Sequence, residues 1–96
     1  MTKAYYENIP KMEYLLNPDK YAWNCILHYI QFTQEELLSV REVLEIREVV
    51  RYQTAATTKF LRDHFQKEID ECLEVDWDDV KIYTRDRDGV AAPNNQ

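Results

Sequence analysis

Apolar residues recur at helical spacing along most of the chain. Tyr5, Ile9, Met12 and Leu16 follow such a spacing, with Pro10 tolerable only in a first turn, so a frayed start and a short helix over about 10–16 are expected. Asn17-Pro18-Asp19 is a start signal: a capping residue, a proline that fits the first turn, and an acid near the positive end of the helix. Tyr21, Ala22, Cys25, Ile26, Tyr29 and Ile30 then form two adjacent rows and predict a helix over about 18–31. Thr33 and Glu36 match a capping box. Behind them Leu37, Val40 and Leu44, flanked by Val43, Ile46 and Val50, make a wide apolar face. This predicts a central helix from about 34 to between 44 and 53.

Residues 54–58 interrupt the pattern, and Thr57 is a second cap candidate. Leu61, Phe65, Ile69 and Cys72/Leu73 then form an i, i+4, i+8 stripe, expected to be buried against Leu37, Val40 and Leu44. Asp76 is a third cap candidate, opening a short helix with Trp77, Val80 and Tyr83. Residues 86–96, with Gly89 and Pro93, read as a turn and a loose tail.

Composition narrows the fold class. Gly89 is the only glycine, and no proline lies between Pro18 and Pro93. Hairpins and tight βα turns draw on both residues, so their scarcity argues against a β-rich fold. The expectation is an all-α bundle of four or five helices: a single domain over 1–88 with a flexible tail over 89–96. No apolar run reaches the ~20 residues of a membrane span. With no apolar leader and two cysteines, Cys25 and Cys72, in apolar helical settings, the expected location is the cytoplasm with free thiols.

One local pattern repeats. Trp23-x-x-Ile26-x-x-Tyr29 is matched by Ile46-x-x-Val49-x-x-Tyr52 and by Trp77-x-x-Val80-x-x-Tyr83, and the first two copies are followed by a threonine cap and a second apolar helix. The periods are 23 and 31 residues. The pattern resembles the short helical repeat D-W-x-x-I-x-x-Y-x-x-L-S-x-x-F-I of poorly characterised proteins of bacteriophages and large viruses. That resemblance implies a scaffold of degenerate helix-turn-helix repeats and a viral origin, and it carries no catalytic residues. Ile46 stands where the repeat has Trp, and Ala22 where it has Asp.

Charge points to the class of partner. The formal net charge is −6, and the run from Glu68 to Asp79 holds seven carboxylates and no lysine or arginine. This opposes direct binding to nucleic acid or anionic lipid and favours a protein with a basic surface. Glu68, Asp70, Glu71, Glu74, Asp76, Asp78 and Asp79 are therefore the acidic contact candidates, and Tyr5, Tyr6 and Trp77 the aromatic anchors. Cys25, His28, His64 and Cys72 supply zinc-type donors, but their spacings match no zinc finger, and no metal or cofactor is expected. Thr84-x-Asp86-x-Asp88-Gly89 begins like a calcium loop, yet position twelve would be Asn95 rather than Glu. Neither a Gly-rich phosphate cradle nor a nucleophile-elbow motif occurs. The expected function is a non-enzymatic, acidic protein-binding module, a small adaptor or inhibitor, with homo-oligomers allowed. The alternatives are a nucleic-acid-mimicking anti-defence inhibitor, of anti-restriction or anti-CRISPR type, and a transcription regulator, which would need a basic helix face.

Overall fold

The computed structural model describes the backbone of residues 3–94 and the side chains of residues 3–87. Its helices are α1 (Lys3–Glu7), α2 (Lys11–Leu16), α3 (Trp23–Tyr29), α4 (Gln34–Ser39), α5 (Ile46–Tyr52), α6 (Thr58–His64), α7 (Gln66–Asp70) and α8 (Trp77–Asn94), with 3₁₀ turns at Pro18–Lys20 and Arg41–Val43. No strand occurs among the described residues. The all-α expectation holds, but the helices are shorter and more numerous than the periodicity predicts.

Two expected helices are broken. The one over 18–31 becomes a 3₁₀ turn, an extended step at Tyr21 and Ala22, and then α3. The break brings the Trp23 indole N–H to the Pro18 carbonyl (2.9 Å) and the Tyr21 hydroxyl to Glu13 (3.0 Å), and packs Trp23 edge-on to Tyr14. The central helix is likewise split: α4 ends at Ser39, and the backbone is extended at Leu44 before α5. An apolar face as wide as the one over 37–50 would need covering on several sides at once. Folding the segment back on itself buries Leu37, Val40, Val49 and Val50 together instead.

Both threonine caps form as expected. The Thr33 hydroxyl accepts from the Glu36 amide (3.1 Å), and the Glu36 carboxylate accepts from the Thr33 amide (2.8 Å), completing the capping box. Thr57 accepts from the Phe60 amide (3.2 Å). At the third cap the Asp76 carboxylate accepts from the Asp79 amide (3.0 Å), and the Asp79 carboxylate accepts from the Asp76 amide (3.1 Å). The helix that follows is not short. α8 runs through Asp86 and Gly89 to Asn94, where a turn was expected, because one glycine costs a helix only about 1 kcal/mol. The calcium-loop geometry is therefore absent from that backbone; Asn95 lies outside the described residues.

The repeat is present in the backbone. Each Trp/Ile-x-x-Ile/Val-x-x-Tyr copy begins at the first residue of a helix: α3, α5 and α8. Thr33 (φ −76°, ψ 166°) and Thr57 (φ −77°, ψ 167°) open the second helices with the same conformation. Those helices end at Val40 (φ −117°, ψ 25°) and Phe65 (φ −128°, ψ 20°), again alike. A further copy precedes the three seen in the sequence. Pro10 opens α2 in the extended region, Asn17 (φ −129°, ψ 56°) closes it, and a three-residue 3₁₀ turn follows, as it does after α4. Tyr14, Leu37 and Leu61 hold the same place, four residues after their caps, and all are fully buried. The first helices pack in order: α1 on α3, α3 on α5, α5 on α8.

The closing tyrosines of these helices line up across the copies. Tyr6 stacks on Tyr29 (centroids 5.3 Å apart), and His28 lies between Tyr29 (4.9 Å) and Tyr52 (4.1 Å). The Arg51 guanidinium sits 6.0 Å from the Tyr83 ring centre. Beneath this ladder, Gln53 is fully buried and clips two copies together. It accepts from the Phe32 amide (2.9 Å) and donates to the Leu27 and Ile30 carbonyls (2.7 Å each). Gln31 exchanges hydrogen bonds with Tyr52 and Thr54, and Gln34 donates to Ala55. Between the next two copies, Thr84 bonds Thr58 (2.7 Å) and Arg87 donates to the Ala56 carbonyl (3.2 Å).

Candidate partner-binding surface

The acidic run is less uniform than its sequence implies. Glu68 pairs with Arg41 (2.8 Å), which also donates to the His64 carbonyl and lies over the Phe65 ring. Glu74 pairs with Arg47 (3.2 Å), whose guanidinium is held mainly by the buried Glu48 (2.8 Å). Asp70 accepts from the Trp77 indole (2.7 Å), and Asp76 and Asp79 cap α8. Within the run only the Glu71 and Asp78 carboxylates make no hydrogen bond or ion pair among the described residues. Repulsion that looked unrelieved within the segment is thus relieved by Arg41 and Arg47, brought in from 27 residues away.

The aromatic candidates separate in the same way. Tyr5 is about half exposed (47%) and meets Tyr6 edge-on. Tyr6 is tied into the ladder, and its hydroxyl pKa lies above the usual phenol value, first through a hydrogen bond with the Cys25 thiol. Trp77 is half-buried, with the Arg62 guanidinium 4.4 Å above its ring. Leu73, expected in the core with Leu61, Phe65 and Ile69, is fully exposed. α7 stops at Asp70, so the i, i+4 rule no longer places residue 73 on the stripe.

Cys25, His28, His64 and Cys72 do not converge, and among the described residues no three metal-ligating side chains are grouped to hold an ion. His28 is taken up by the tyrosine ladder and His64 lies against Phe60.

A surface not marked by any local sequence pattern is built from the connections between copies. One groove of about 390 Å³ lies between the 3₁₀ turns, with Asp19 on one side and Leu38, Val40, Glu42 and Val43 on the other. A second, of about 370 Å³, is lined by Leu44, Glu45, Ile46, Glu71 and Cys72, with Glu68 and Glu74. Together they carry six carboxylates and only two guanidiniums, Arg41 and Arg47, both already engaged in ion pairs. Asp19, Glu42 and Glu45 each lie within two residues of a lysine or arginine along the chain, so only Glu71, Glu68 and Glu74 were visible as candidates.

No helix among the described residues is long and apolar enough to cross a membrane. The fold and this surface define a small all-α protein of stacked helical units. No family model, curated protein or solved structure compared with the chain matches it.

Proposed function

We propose that this protein is a non-enzymatic acidic protein-binding module, a small adaptor or inhibitor whose partner presents a basic surface. The observation that carries the reading is the inter-copy face, where six carboxylates surround two guanidiniums that are already paired. A face of that sign steers cationic surfaces toward it and repels polyanions. Its components lie on three different copies, so the stacked fold serves as the scaffold that pools them. The resemblance to repeats of phage and large-virus proteins directs the search for a partner to the proteins of an infected host.

The test is capture on immobilised protein in parallel with a Glu42→Gln/Glu45→Gln/Glu71→Gln variant. A partner retained by the native surface and lost on the neutralised one supports the module; equal retention on both overturns it. Displacement of that partner by added DNA or RNA would favour the nucleic-acid-mimic alternative.

A further inference from the structure

We propose that the two grooves form one continuous docking site for a lysine- or arginine-rich segment that carries apolar side chains between its cations. This rests on the protein-binding reading above and names the form of the partner.

The grooves are neighbours. Residues 41–43 line the first and 44–47 the second, and Arg41 of the first bonds Glu68 of the second at 2.8 Å. Both open where the connection after one second helix meets the next copy, so the stacking that makes one makes the other. Their linings are half apolar. Leu38 and Val43 line the first, and Leu44, Ile46 and Cys72 the second, all half-buried and so partly open to an incoming side chain. Leu73, fully exposed, stands between two lining residues of the second groove, Cys72 and Glu74. A large apolar side chain with no cover inside the fold adds apolar surface at that groove's edge.

Charge selects the occupant. The carboxylates of Asp19, Glu42, Glu45 and Glu71 make no hydrogen bond or ion pair among the described residues. A wholly apolar ligand would strip water from these carboxylates without replacing its hydrogen bonds, which is costly. A nucleic acid, an anionic membrane or a second copy of this face brings charge of the same sign. A segment with both cations and apolar side chains satisfies the carboxylates and fills the grooves.

The experiment uses the full chain with Cys25→Ser, which leaves Cys72 as the one thiol. The probes are a fluorescent leucine–lysine peptide, an oligolysine of equal charge and a leucine–glutamate peptide. Anisotropy gives affinities, and maleimide labelling reads access to Cys72. The leucine–lysine peptide is expected to bind about tenfold tighter than oligolysine, the scale of one buried leucine side chain. It should also slow Cys72 labelling, and Leu73→Ser or Glu42→Gln/Glu45→Gln/Glu71→Gln should weaken it severalfold. These positions are exposed and unpaired, so circular dichroism should not change. Equal binding of both cationic peptides with Cys72 unprotected overturns the groove site and leaves an acidic binding surface standing. Binding of neither, or equal binding of the leucine–glutamate peptide, overturns both readings.

Discussion

Among single residues, Gln53 has the most at stake. Its amide satisfies one backbone N–H and two carbonyls of the preceding copy inside a fully buried site. Gln53→Ala would leave those three groups unpaired and open a void, so a loss of about 2–4 kcal/mol is expected in urea unfolding. Nothing in the local sequence marks Gln53, because its partners lie 21–26 residues back. Glu36, by contrast, was legible from the T-x-x-E spacing. Its carboxyl is held below the ordinary carboxylate range, first by the Thr33 amide, with Lys11 adding to it. A lowered folded pKa means that this stabilisation is present above the ordinary value and is lost as pH falls through the lowered one. Glu36→Gln keeps a capping oxygen but no charge. Its melting temperature should therefore lie below the native one at neutral pH, and the gap should narrow and close as pH falls through the lowered carboxyl pKa.

At the scale of elements, the starts of α4, α6 and α8 were readable from their caps, while those of α3 and α5 and most of the ends were not. Caps are local chemistry: a threonine or aspartate accepting from an amide three residues on. Thr57→Ala should cost about 1 kcal/mol in chemical denaturation. Ends here are set by packing, since the chain breaks wherever turning back buries more apolar surface than continuing. Two residues of one expected stripe report this. Phe65→Ala should cost about 3–5 kcal/mol, as for a filled core site, while Leu73→Ser should stay within about 0.5 kcal/mol.

On the scale of the whole molecule, the acidic run divides into carboxylates that hold the fold and carboxylates left to solvent. Asp79→Ala removes a reciprocal cap of α8 and should cost about 1 kcal/mol. Glu71→Gln with Asp78→Asn removes charge from two unpaired side chains, so thermal stability should hold or rise. The same double variant should associate more slowly with a basic partner, most visibly at low salt, in stopped-flow measurements. An unchanged rate and salt dependence would make these two acids a solvated face and nothing more.

Determined by the sequence alone were the helical class, the three threonine or aspartate caps and three of the four repeated copies. Each rests on interactions within a few residues, where spacing maps directly onto geometry. The first copy is not legible in the sequence because Pro10 stands where the others have threonine. Only the tertiary structure decided which carboxylates are paired, that Leu73 faces water, and that Asp19 and Glu42 line one groove and Glu45 and Glu71 another. Those outcomes depend on which residues stacking brings together from 20 to 30 positions away, and neither periodicity nor charge counting along the chain carries that information.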